Sequence, residues 1–253
     1  MQNISCRCIS DSANSGNINA SSEYAGGIVG SGDFGVITGS VSSASVTSDG
    51  DYAGGIVGKL DGTVTGSGAR AKVKGASYVG GIAGSVQNIT ECLSLSEIEF
   101  DGLYFGSIAG FTESDGRVRG NYYAGSVIGG VNGFDLSGEC ERSDFETITK
   151  LSKFGNYFTE VAVTFTDEDG NKTVKTFPYG SKLSEVPEIA DKELEKWKWD
   201  SYELPLTCDV EINGDYFSRS FTLTSGEEVP RIIVCGVFDE NETLSVSPFT
   251  PET

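Results

Sequence analysis

The sequence predicts a mainly β protein: an N-terminal β-solenoid of four to five coils, a short capping helix, then a small mostly-β C-terminal module. Three observations carry that expectation. First, Tyr24-Ala-Gly-Gly-Ile-Val-Gly30 returns as Tyr52-Ala-Gly-Gly-Ile-Val-Gly58, as Tyr78-Val-Gly-Gly-Ile-Ala-Gly84 and, altered, as Tyr104-Phe-Gly-Ser-Ile-Ala-Gly110. The tyrosines stand 28, 26 and 26 residues apart, a period in the range of stacked-repeat architectures. Second, glycine and proline divide the chain: 27 of the 34 glycines lie before residue 135, and all six prolines lie after it. Third, charge divides it in the same place, with a net of −5 over residues 1–134 and −14 over 135–253, together the −19 of the whole chain. The 253 residues are enough for two domains, each with a core.

Within residues 1–134 a second register accompanies the tyrosines. Ile9, Ile37, Val64, Ile89 and Val118 open successive units, and nine residues after each of the first four stands Ile18, Val46, Val73 or Ile98. Ile28, Ile56, Ile82 and Ile108 follow four residues after each tyrosine. Each unit thus holds three short apolar-alternating segments separated by Gly, Ser, Asn and Asp, which is strand rather than helix patterning. One such unit cannot bury its apolar face alone, whereas stacked units can. These Ile and Val residues are the expected inward ladders. Tyrosine suits a coil corner with its hydroxyl wet. The Gly-Gly after it suits a position where φ is positive or where close coil contact leaves no room for a Cβ.

The units resemble the GLUG repeat, through Gly27-Ile-Val-Gly30, Gly55-Ile-Val-Gly58 and Gly81-Ile-Ala-Gly84 and the lead-in Asn14-Ser-Gly-Asn-Ile18; Ser107 replaces the second glycine in the fourth unit. The resemblance covers residues 1 to about 134. It implies a bacterial cell-surface or secreted protein, since such repeats occur in adhesin-like proteins and in regions of immunoglobulin A peptidases, as stalks or binding platforms.

Residues 135–158 read as the cap of the solenoid. Ser143 with Glu146 forms a capping-box-like start, Phe145, Ile148 and Leu151 have helical spacing, and Gly155-Asn156 reads as the stop. This helix is expected to lie over the last coil. Residues 159–216 open with a hairpin, Val161–Thr166 and Thr173–Phe177 around Asp167-Glu-Asp-Gly170. Thr207–Ile212, Ser218–Thr224 and Arg231–Phe238 read as further strands. The order of hairpin, Tyr179-Gly-Ser, Pro187 and Lys196-Trp-Lys-Trp199 resembles the β-grasp-like internalin B-repeat, over about Val161 to Tyr216. Residues 217–253 read as additional strands or the start of a further domain. Met1, the only methionine, reads as an added start, and Ser-Pro-Phe-Thr-Pro-Glu-Thr253 as a cut linker.

The chemistry-bearing signals are sparse. With no histidine the commonest general base is missing, and no catalytic constellation stands out, so a non-enzymatic role is expected. Neither a cofactor nor a metal site is expected. The six cysteines form no CxxC pair; they read as buried free thiols, with disulfides in a secreted chain as the alternative. Gly30-Ser-Gly-Asp-Phe-Gly35 satisfies GxGxxG but leads into strand rather than helix, unlike a dinucleotide fingerprint. Asp167–Asn171 lacks the acids at Phe165 and Thr176 that a calcium loop needs. The acidity disfavours nucleic acid and anionic lipid surfaces as partners, and no apolar run is long enough to span a membrane. Tyr24, Tyr52, Tyr78 and Tyr104 are either an exposed ladder that stacks on sugar rings or half-buried corner supports. Of Trp197 and Trp199, one is expected in the core and the other exposed as a binding candidate. The expected function is display or binding, as in adhesion to a host or bacterial surface protein or glycan. A structural stalk and a non-catalytic accessory region of a large secreted peptidase or glycan-degrading enzyme are the alternatives.

Overall fold

A computed structural model describes residues 7–125, 128–192, 195–218, 234–238 and 244–248. It forms two compact units: Met1–Glu188 with Trp199–Asp215, and Ile189–Lys198 with Tyr216–Thr253.

The first unit is built on a parallel β-solenoid of about four turns, whose coils have four sides. The long first side stacks Cys8–Ser10, Val29–Thr38, Val57–Thr65, Ala83–Thr90 and Ala109–Thr112. The second stacks two-residue strands such as Val41–Ser42, Gly68–Ala69 and Leu93–Ser94, then Asn121–Tyr123 and Cys140–Arg142. The third stacks Ile18–Ala20, Ser45–Ser48, Lys72–Gly75 and Glu97–Phe100, and the fourth Ala25–Gly26, Ala53–Gly54, Val79–Gly80 and Phe105–Gly106. Four sides replace the three segments read from the sequence, because strands of two residues are too short to alternate visibly.

The inward ladders fall where the apolar spacing puts them. Ile9, Ile37, Val64, Ile89 and Val118 are register partners in turn, as are Ile18, Val46, Val73 and Ile98. Ile56, Ile82 and Ile108 are fully buried, while Ile9 in the first coil remains 37% exposed. A polar ladder runs beside them. The amides of Ser12 and Ser40 donate to the hydroxyls of Ser40 and Ser67 one coil on, and Ser40 and Ser67 donate to the carbonyls of Thr38 and Thr65. Cys92 occupies the next rung and donates its thiol to the Thr90 carbonyl. The ladder ends on buried Asn121, which accepts from the Cys92 amide and donates to the carbonyls of Ile89 and Glu139. Buried backbone groups at the corner are thereby paired.

The corner chemistry differs from expectation in one respect. The residues with positive φ are the tyrosines, at 70°, 65°, 56° and 61° for Tyr24, Tyr52, Tyr78 and Tyr104, not the glycines that follow. Those glycines answer the other requirement, close approach: a Cβ on Gly54 would lie 2.1 Å from the Val57 carbonyl oxygen and 2.7 Å from the Gly84 amide nitrogen.

The C-terminal end of the solenoid is closed by residues 129–142, which pair with Ser107–Ala109 and Asn121–Tyr123 and place Val131 and Cys140 in the core. The helix Phe145–Leu151 lies instead along the outside of the second side, where Ile148 packs with Val41, Leu93 and Leu95. Its N-cap is Asp144, one residue later than Ser143: the Asp144 carboxylate accepts from the Thr147 amide at 2.7 Å, the stronger anionic acceptor of the two side chains. The helix ends at Leu151 with Ser152 as its cap, and Gly155 (φ 64°) instead precedes a second turn of helix, Asn156–Thr159.

The hairpin follows in the same unit. Glu160–Thr166 pairs antiparallel with Lys172–Pro178, and Gly170 supplies the positive φ of the turn. Val163–Thr166 also pairs in parallel with Val210–Asn213. Val161, Val163, Phe165, Phe177, Leu206 and Ile212 form its buried core. The strand expected over Thr207–Ile212 begins at Val210 and runs to Ser218. In the second unit Val234–Phe238 and Leu244–Pro248 form an antiparallel pair. The strand expected over Ser218–Thr224 lies outside the described residues except for Ser218.

Candidate functional site

The repeated tyrosines form a continuous stack on the outside of the corner between the third and fourth sides. Successive ring centroids are 5.1, 4.5 and 4.6 Å apart, with interplanar angles of 16–18°. Stacked register delivers this arrangement, since each tyrosine sits one coil above the last. Phe111 meets Tyr78 and Tyr104 edge-on, and the Lys59 ammonium lies 5.6 Å from the Tyr52 ring centre. The hydroxyl of Tyr24 is held by Glu23, which raises its pKa; burial does the same for Tyr52 and Tyr78. A sugar that stacks on tyrosine needs a free ring face. Here the inner faces are occupied by the neighbouring rings, leaving edges, hydroxyls and the outer faces of the two end rings, Tyr24, which is 38% exposed, and half-buried Tyr104.

The tryptophans divide differently from the expected buried and exposed pair, since both are half-buried. Trp199 packs edge-on against Phe165 at 5.2 Å and donates Nε1–H to the Pro187 carbonyl at 2.8 Å. In the second unit Trp197 meets Tyr216 edge-on at 4.9 Å, and the Lys192 ammonium sits 3.7 Å from the Tyr216 ring centre.

A second surface was not singled out by the sequence. In the first unit the outer face of the third side borders the segment 202–209 along a continuous trough. It comprises an open pocket of about 670 Å³ and two smaller grooves of about 230 Å³ each, and all three share Lys72 and Glu97. Alternation along the strands turns Val73 and Ile98 inward and Lys72, Lys74, Glu97 and Glu99 outward. Register pairs Lys72 with Glu97 and Lys74 with Glu99, the latter an ion pair of 3.2 Å. Thr207 donates its hydroxyl to Glu97 at 3.1 Å. The floor is fixed by Tyr179, whose hydroxyl donates to the Leu95 carbonyl at 2.7 Å and whose pKa burial raises strongly. Arg70 lies 5.6 Å from the Tyr179 ring centre and donates to the Glu160 carbonyl. Tyr202 lines the wide end, its pKa raised by burial and by Cys208, with Lys72 opposing.

No family model, curated protein or solved structure matches this chain. Among the described residues no group of three or more His, Cys, Asp or Glu side chains is arranged to hold a metal, and no helix is long and apolar enough to cross a membrane. Cys8, Cys92, Cys140 and Cys208 are free thiols: Cys92 and Cys140 are buried, Cys208 half-buried and Cys8 exposed. Burial pushes Cys92 and Cys140 up to about 12, which keeps them protonated and unreactive at neutral pH. Lys72, Glu97, Tyr202 and Thr207 were missed because they come from three distant stretches. The only local signal was alternation of charge with β-branched residues in Lys72-Val-Lys74 and Glu97-Ile-Glu99.

Proposed function

We propose that this chain is a non-enzymatic binding and display segment of a bacterial cell-surface or secreted protein. The observation that carries the reading is the trough: a concave surface of mixed polar and apolar character, whose Lys72, Lys74, Glu97 and Glu99 are fixed by strand register on a parallel-β frame. Binding constellations placed on regular strands are held more closely than those on loops. The GLUG-like repeat favours an extracellular setting and a partner on a host or bacterial surface. The parallel pairing of the first hairpin strand with Val210–Asn213 is compatible with the β-grasp-like reading of the C-terminal module.

A structural stalk is the second reading. The closed tyrosine stack and the serine ladder favour it, because both run along the solenoid axis and tie each coil to the next. A binding screen of the purified chain against immobilised mucins, immunoglobulins, matrix proteins and glycans separates the two. Saturable capture at physiological salt is expected of a binding segment, and silence across the panel of a stalk.

A further inference from the structure

We propose that the trough is an oligosaccharide-binding site, in which Tyr202 provides the stacking surface and Lys72 and Glu97 engage sugar hydroxyls. The inference deepens the binding-segment reading and rests on it.

The lining chooses among ligand classes. Away from its charged groups the smaller grooves present neutral side chains that both donate and accept, Ser15, Asn17, Ser45, Thr47 and Thr207, while Leu95, Phe145, Leu204 and Pro205 add apolar surface at the wide end. Three cations line it, Arg70, Lys72 and Lys74, against four carboxylates, Glu97, Glu99, Asp144 and Asp209, and Lys74 pairs with Glu99 at 3.2 Å. A phosphate-bearing ligand therefore meets no net positive field. The strands Ser45–Ser48 and Lys72–Gly75 are paired on both edges, so of the trough's strands an extended peptide could add only beside Glu97–Phe100, the last strand of this sheet. What remains is a neutral, hydroxyl-rich chain. Carboxylate and ammonium groups make the stronger, charge-assisted hydrogen bonds to its hydroxyls. A half-buried tyrosine offers its apolar ring to the C–H face of a pyranose. The rows of outward groups repeat at the strand spacing of about 4.8 Å, similar to the length of one pyranose residue. Ser45, Lys72 and Glu97 thus stand in line as successive contacts along such a chain.

The test is calorimetric titration of the full chain with chitohexaose, cellohexaose, xylohexaose and mannohexaose at physiological salt. The wild type is compared with Lys72→Ala, Tyr202→Phe and Tyr202→Ala, each checked for native circular dichroism. Lys72 is solvent-exposed, so its truncation leaves the fold intact. The expected result is saturable binding of at least one hexasaccharide, weakened about tenfold or more by Tyr202→Ala, several-fold by Lys72→Ala, and little by Tyr202→Phe. Absence of binding to all four, or binding that neither Lys72→Ala nor Tyr202→Phe/Ala changes, overturns the saccharide site. If the same preparation saturably captures a matrix protein or an immunoglobulin while ignoring the hexasaccharides, the saccharide site falls and the binding-segment reading stands. If it captures nothing, both fall.

Discussion

Replacing Gly80 by alanine tests whether the glycines of the fourth side are dictated by coil-to-coil contact. Gly80 lies between Gly54 and Gly106 in the stack. An added Cβ would stand 1.9 Å from the Ala83 carbonyl oxygen and 2.8 Å from the Gly110 amide nitrogen, both backbone atoms. Relief to 3.0 Å requires a shift of about 1.1 Å in a corner whose neighbouring amides are committed: Val79 donates to Tyr104, Gly81 to Gly106 and Ala83 to Ile108. Overpacking alone costs about 1–3 kcal/mol, and each buried backbone bond lost adds about 1–3 kcal/mol. The expected loss is therefore at least about 3 kcal/mol, a large share of a typical total of about 5–15 kcal/mol. Two controls separate contact from backbone conformation. Gly66 has φ +53° and nothing within 4 Å of a Cβ, so alanine there should cost about 1–2 kcal/mol. Exposed Gly16 meets only the Asn14 side chain at 3.4 Å, so alanine there should change stability by less than about 0.5 kcal/mol. Urea unfolding followed by far-ultraviolet circular dichroism reads all three. A Gly80→Ala chain as stable as Gly16→Ala would refute the reasoning.

Further outcomes follow from the ladders. Ile82→Ala, at a fully buried position, should cost about 2–5 kcal/mol, whereas Ile9→Ala in the exposed first coil should cost clearly less; equal losses in urea unfolding would contradict the burial gradient. Asn121→Leu strips the Cys92 amide of its acceptor and takes a side-chain donor from the carbonyls of Ile89 and Glu139, the latter keeping the Asn121 amide, and should cost about 2–5 kcal/mol, measured the same way. The buried thiols predict alkaline sensitivity. Cys92 and Cys140 are held at about 12 when folded, against about 8.5 for an unfolded thiol, so the unfolded chain releases its protons first. Their stabilisation is complete below pH of about 8.5 and declines as pH rises towards about 12. Cys92→Ser should flatten that decline while keeping neutral stability, because serine already fills the equivalent rungs at Ser40 and Ser67; a midpoint that stays constant from pH 8 to 10.5 in the wild type would contradict it.

What the sequence disclosed follows from what it repeats. Ile37, Val64 and Ile89 recur at nearly fixed spacing because they stack, so the solenoid and its inward ladders were legible from apolar spacing alone. The left-handed conformation of the tyrosines was not, since the neighbouring glycines are the more usual occupants of positive φ. The second side escaped notice because strands of two residues carry no periodicity. The helix was found but not its resting place: Ile148 meets Val41, Leu93 and Leu95, partners from different coils that only the register assembles. The trough is the extreme case. Lys72 and Glu97 are joined by stacking across one coil, and Tyr202 arrives more than 100 residues later through the fold of the hairpin module. For the tyrosine stack the sequence left two readings open, and the ring spacing of 4.5–5.1 Å favours the corner support.

The measurement that bears most directly on the central claim is saturable binding of the purified chain to the panel of mucins, immunoglobulins, matrix proteins and glycans at physiological salt. It should be run beside Lys72→Ala and a Tyr24→Ala control. Binding that is weakened by Lys72→Ala and unaffected by Tyr24→Ala is the result expected of a recognition segment whose site is the trough. Binding lost with Tyr24→Ala and indifferent to Lys72→Ala would move the site to the tyrosine corner, and no binding at all would contradict the account.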